Sequence, residues 1–181
     1  MMGLLTRLAA TGNRISEQAG RAVAVLTGLM VLVTFTVVVL RYGFNLGWIS
    51  MQESIVYLYA TNFMLGMAYT LQRDGHVRVD IIYQKFGPRG RAWVNLLGTL
   101  FLLLPMCGFI LWTSWDYVAE SWAVLETSSE AGGLPWVYLL KSLLLVMPAL
   151  LLVQGLAMLA ESLLTLLGQA TKGPHDGVKE I

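Results

Sequence analysis

The sequence has little charge, almost no thiol and almost no imidazole. Of its 181 residues only 13% are Asp, Glu, Lys or Arg, while 56% are hydrophobic. That balance is foreign to an ordinary soluble domain and expected of a membrane protein. The net charge is only +1, so the basic footprint that neutralises a phosphate backbone is missing and nucleic acid is excluded as a partner. One cysteine, Cys107, cannot build a disulfide framework or a cysteine-rich metal site. The two histidines, His76 and His175, both fall in polar segments, which excludes the paired imidazoles that a b-type haem needs inside a bilayer. No His, Cys or acidic cluster has metal-ligand spacing. No glycine-rich phosphate loop follows a strand, and two loop histidines cannot support a nucleophilic triad. Neither an enzyme nor a cofactor is predicted.

Long uncharged runs are what the chain has instead. A hydrocarbon core about 30 Å thick needs about 20 apolar residues in helix, and four windows qualify: residues 22–40, 54–72, 92–115 and 136–167, the last interrupted by Lys141 near its start and Glu161 near its end. The first is β-branched and free of charge. It reads as a retained anchor, because the polar approach over 6–21 is long and no small-residue cleavage pattern follows Leu40. The second mixes in Ser54, Thr61, Asn62, Thr70 and Gln72. The third carries Pro105 near its middle and Trp near both ends, where aromatic residues favour the interfaces. The fourth is longer than a bilayer requires, so it tilts or projects. Residues 168–181 form a polar tail, and the whole reads as a single four-helix membrane domain, all-α.

Cations set the orientation, because short cytoplasmic loops retain Lys and Arg. Arg7, Arg14 and Arg21 precede the first span; Arg73, Arg78, Lys85, Arg89 and Arg91 lie between the second and third; Lys172 and Lys179 follow the fourth. The opposite side has Arg41, Lys141 and a loop over 116–135 with Asp116, Glu120, Glu126 and Glu130 and no cation. Both termini are therefore expected in the cytoplasm. Within the cationic connection, Val79, Ile82, Tyr83 and Phe86 recur at helical spacing, predicting a short interfacial helix stopped by Gly87-Pro88.

Ionisable groups at the edges of the spans are Arg41, Glu53, Lys141 and Glu161. Arg41 and Glu53 bracket a short connection with opposite charge, which predicts a membrane-edge ion pair. None lies where it would carry substrate charge through the bilayer, and no internal repeat of the kind transporters use is visible. Pro105 with Gly108 predicts a kink in the third span. Thr61, Asn62, Gly66 and Ala68 make the second span poor against lipid and good against another helix, which favours a permanent partner. Two other classes are open: a self-oligomerising small exporter with Glu53 as its proton site, and a membrane anchor for a redox complex. The place of Glu53 at a helix start beside Trp48 speaks against the first, and the placement of the histidines against the second.

The stretch "RYGFNLGWISMQESIVYLYATNFMLGMAYTLQRDGHVRVD" resembles the signature of the small membrane subunit of tripartite ATP-independent periplasmic (TRAP) transporters, the DctQ-like family. The matching positions are Arg41, Trp48, Glu53, Gly66, His76, Val77, Val79 and Asp80. Gln52 departs from the pattern, standing where the family often has the first acid of a pair. The resemblance implies a bacterial inner-membrane scaffold that moves nothing itself. Its expected partners are membrane lipid, a large polytopic subunit that couples organic acid uptake to sodium, and, transiently, a periplasmic binding protein that delivers a carboxylate. It also implies that Trp48 and Trp136 anchor the outer edge, that His76 and Asp80 organise the cytoplasmic turn, and that Gly75 supplies that turn.

Overall fold

A computed structural model describes residues 2–76, 83 and 85–168. The fold is all-α and multi-span. Helix α1 runs Met2–Gly43, α2 Ile49–Gln72, α3 Pro88–Ala123 and α4 Val137–Leu166. Three of these, α1, α3 and α4, are long and apolar enough to cross a membrane. Helix α2, at about 36 Å, has the length but is more polar. The expected interfacial helix, with Val79 and Ile82, falls largely outside the described residues, as do Asp80 and the tail from residue 169.

Helices α1, α2 and α3 are longer than their apolar runs, while α4 falls one residue short of its window at either end. Helix α1 begins twenty residues before the run at 22–40, with no proline to stop it. Pro88 opens α3 at a first-turn position, where its missing N–H costs nothing, with Gly87 as the extended residue before it. Trp48 and Trp136 stand at the equivalent boundary positions before α2 and α4.

The exits are closed by left-handed residues. Asn45 takes φ 59° after α1, and the Leu46 N–H reaches back to the Leu40 carbonyl at 2.9 Å. After α2 the turn falls on Asp74 rather than on Gly75: Asp74 takes φ 56°. The Gly75 N–H then donates to the Thr70 carbonyl at 2.9 Å and the Asp74 N–H to Leu71 at 3.2 Å. Those two bonds make a Schellman ending, in which the residue before the last donor is the left-handed one.

Pro105 acts one turn before itself. Its ring and missing N–H disrupt the bond to residue 101, and the helix answers with a π-helical turn over Thr99–Leu103, in which the Leu104 N–H bonds the Thr99 carbonyl. Such a bulge is a recognised cause of a helix bend.

Helix α4 is the hub. It packs on α1, α2 and α3, while α1 and α2 pack on each other and, among the described helices, α3 makes extended contact with α4 alone. Small side chains let the backbones approach. A Cβ on Gly12 would lie 2.7 Å from that of Ala157, and one on Gly155 would lie 2.9 Å from Leu103 in the π turn. Ala68, Ala157, Ala160 and Leu164 are fully buried along these seams.

Candidate functional site

The two ends of the bundle are built differently. One end, the loop end, carries the connections 44–48 and 124–136. The other carries the start of α1, the end of α4 and the α2–α3 connection, and is called the terminal end below.

At the loop end, residues 124–136 fold back over the start of α2. Leu125 and Gly132 take positive φ, 45° and 81°, to turn the chain. The Ser128 N–H then bonds the Leu134 carbonyl at 3.1 Å and the Gly133 N–H bonds Glu130 at 3.0 Å. The Glu53 carboxylate is the anchor beneath: it accepts from the Ser128 hydroxyl and, at 2.6 Å, from the Leu134 N–H. Gly133 passes so close that a Cβ there would lie 2.8 Å from Glu53 Oε1. Beside it, Lys141 Nζ donates to Glu126 at 2.5 Å and lies 4.0 Å from the Tyr117 ring centre. Ser121 donates to the same carboxylate oxygen at 2.6 Å. The Lys141 ammonium first, and the Ser121 hydroxyl second, hold the Glu126 carboxyl below its usual range. Trp122 Nε1 to Ser142 at 2.8 Å completes the link of α3 to α4.

At the terminal end, a polar cluster joins three helices. Asn13 Nδ2 donates to Glu161 at 2.6 Å, Gln154 Nε2 donates to Asn13 Oδ1 at 3.0 Å, and the Ser16 hydroxyl donates to Gln154 at 2.7 Å. Gln72 of α2 donates to the Asn13 carbonyl at 2.9 Å. Hydrogen bonds between helices hold register where hydrophobic drive is weak.

The sequence-derived candidates distribute unevenly over this frame. Glu53 and Lys141 both join the loop-end cluster, yet neither pairs with Arg41. Arg41 is exposed in the last turn of α1 and has no ion pair among the described residues, because serine and backbone donors already occupy Glu53. Trp48 is half exposed at the mouth of α2. The Asn62 amide is buried inside the chain, with neither atom hydrogen-bonded among the described residues. A Cβ on Gly66 would meet only Val23, at an ordinary 3.8 Å. The tight α1–α2 approach is instead at Gly20, where a Cβ would lie 2.5 Å from Cγ of Tyr69. His76 is exposed just past the Asp74 turn. Missed altogether were Asn13, Ser16 and Gln154. Gly12, Ser16 and Gly20, small residues at four-residue intervals ahead of the first apolar run, were the available signal.

Residues 30–165 match the family described as tripartite ATP-independent periplasmic transporters, DctQ component. The chain belongs to this family. The DctQ match takes in α2, α3 and nearly all of α4, with the loop-end cluster entire. It makes the chain a multi-pass inner-membrane protein and a transport component rather than an enzyme. A Haemophilus influenzae protein provisionally named TRAP transporter small permease protein is 33% identical over 87 residues, 48% of this chain and 53% of the relative. The chain thus spans about half the length of the curated relative it matches. No solved structure matches it.

Proposed function

We propose that this chain is the small permease subunit of a TRAP-type transporter, a four-span scaffold with both termini in the cytoplasm. It packs against a large polytopic subunit. That partner performs sodium-coupled uptake of an organic acid, a carboxylate, delivered by a periplasmic binding protein that docks transiently.

The observation that carries this reading is where the charges lie. Among residues 22–40, 54–72, 92–115 and 142–160 there is no Asp, Glu, Lys or Arg. Such a chain has no ionisable group at the midplane with which to take up a carboxylate or release a proton. Glu53, the residue a self-sufficient exporter would need, is engaged by Ser128 and Leu134 at the loop end. The four-span reading is supported by the length of α2 and by its packing on both α1 and α4, which gives its polar residues protein to face. The excess of Lys and Arg at the terminal end supports the orientation. In this arrangement Trp48 and Trp136 lie at the outer interface, and His76 and Asp80 belong to the cytoplasmic turn.

The test is purification of the chain, tagged after Ile181, from its native membranes in mild detergent. A stoichiometric large polytopic partner is the expected result. Recovery of a self-associated complex alone overturns the scaffold in favour of an exporter, with Glu53 the first residue to replace. A reporter fused after Ile181 that behaves as periplasmic overturns the orientation independently.

A further inference from the structure

Helix α3 keeps one face out of the bundle, and that face carries a groove. Gly108, Leu111, Trp112, Trp115 and Asp116 line it, and its volume is about 570 Å³, within the ~300–1,000 Å³ of sites that hold small ligands. The five positions recur at three- and four-residue steps, which stack side chains on one side of a helix. The residues that α3 buries over the same stretch are others: Cys107, Val118 and Ser121. The floor of the groove is bare, since a Cβ on Gly108 would meet nothing within 4 Å. Its wall stands clear of the chain: Trp112 is 84% exposed, more than any other large hydrophobic residue described.

The chemistry of the groove is graded along its length. Asp116 is the first charge after the uncharged run at 92–115, and Gly108 lies about 12 Å deeper along the helix. Each headgroup layer of a bilayer is about 5–8 Å thick, so the groove begins among headgroups and ends among acyl chains. At its shallow end it offers a carboxylate and two indole N–H groups. Asp116 is exposed and has no ion pair among the described residues, and neither Trp112 nor Trp115 has a hydrogen-bond partner among them. Glu53 and Glu126, the carboxylates nearby at the loop end, are each held by two donors. At its deep end the groove offers only Leu111 and the bare backbone of Gly108.

We propose that this groove holds a phospholipid with a primary ammonium headgroup, phosphatidylethanolamine. The ammonium pairs with Asp116 beside the two indole rings, the phosphodiester accepts from an indole N–H, and an acyl chain lies along Leu111 and over Gly108. A cation is attracted to the face of a tryptophan ring, and a primary ammonium also donates charge-assisted hydrogen bonds to a carboxylate. A choline headgroup has the charge but no donor. Phosphatidylglycerol has no cation at all, and its phosphate charge is repelled by Asp116. The helix of a protein partner would leave Asp116 unpaired against apolar side chains, a costly arrangement, unless it brought a cation to this depth. The proposal needs only that α3 crosses the membrane, which its length and hydropathy allow, so it stands or falls apart from the orientation and the scaffold role.

Native mass spectrometry of the full chain in mild detergent tests it, with phosphatidylethanolamine, phosphatidylcholine and phosphatidylglycerol added at equal concentration. Phosphatidylethanolamine should be retained above the other two. Asp116→Asn should lower its retention several-fold and erase the preference. Gly108→Leu, which improves the helix and clashes with nothing, should lower it by filling the floor. Glu130→Gln, an exposed acid outside the groove, should leave it unchanged. Equal retention of phosphatidylglycerol, an unchanged preference in Asp116→Asn, or an equal loss in Glu130→Gln overturns the proposal. A photo-reactive benzoylphenylalanine in place of Trp112 gives a second reading in native membranes. A lipid adduct supports the site, and capture of a polypeptide instead, whether a partner or a second copy, overturns it.

Discussion

Glu53 and Leu134 stand 81 residues apart, and the Leu134 N–H donates to the Glu53 carboxylate at 2.6 Å. The start of α2 therefore holds the loop that joins α3 to α4. A carboxylate can accept both from this amide and from Ser128; a primary amide placed there sets a donor against one of the two. Glu53→Gln is expected to free residues 124–136 while leaving the helices in place. The Leu134 amide should exchange with deuterium several-fold faster, and protease should cut the loop in intact vesicles. Unchanged exchange at Leu134 would mean that the turn geometry alone, through Gly132 and Leu125, holds the loop.

The helices were legible in the sequence because lipid imposes a length and a polarity, and uncharged runs report both. The clamp on Glu53 was not. Ser128 and Leu134 reach it through a loop whose positive-φ residues, Leu125 and Gly132, carry no periodic signal. Opposite charge across the short 44–48 connection pointed to Arg41 instead, but a half-buried carboxylate is as well served by a hydroxyl and a backbone N–H as by a guanidinium. The terminal-end cluster was hidden for another reason. Asn13 and Ser16 lie before the apolar run of α1, in residues that read as a solvated approach, while Gln154 lies inside that of α4. Only a shift in register between the two helices brings them together.

The Glu126–Lys141 contact gives the loop end a defined pH dependence. The folded state holds Glu126 below its ordinary range, chiefly through the Lys141 ammonium. Its ionised form is favoured by folding, so the contribution is complete above the ordinary carboxylate range and is lost as pH falls through the depressed folded value. Thermal midpoints followed by tryptophan fluorescence, with six tryptophans available, should differ between the native chain and Glu126→Gln by a constant amount at neutral pH. The two curves should converge in acid. A difference that persists undiminished at low pH would assign the contact no electrostatic part.

Gly12 tests the closeness of α1 to α4. In an exposed helix, Gly→Ala stabilises by about 1 kcal/mol. Here the new Cβ would fall 2.7 Å from Ala157 Cβ and 3.0 Å from the Val153 carbonyl, and overpacking of this kind costs about 1–3 kcal/mol. Gly12→Ala should therefore lower the unfolding midpoint, and combining it with Ala157→Gly should recover part of the loss. The recovery measures coupling between the two positions. Strict additivity of the two single changes would place the helices further apart than this contact requires.

Asn62 presents the opposite case, a polar group whose removal should help. Its amide nitrogen and oxygen are both buried without a hydrogen-bond partner among the described residues. A buried group in that state carries its desolvation cost uncompensated, about 1–3 kcal/mol, and replacement by an apolar side chain of similar size removes the cost. Thr61 one position earlier is different, because its hydroxyl bonds the Tyr57 carbonyl of its own helix at 2.7 Å. Asn62→Leu is accordingly expected to raise the stability of the purified chain by about 1 kcal/mol, read as a higher unfolding midpoint, while Thr61→Val changes it little. Since the Asn62 amide points into the chain rather than out of it, recovery of a co-purifying partner should be unaltered by either substitution. A fall in stability for Asn62→Leu would show that the amide is satisfied within the fold, with buried water the natural donor and acceptor.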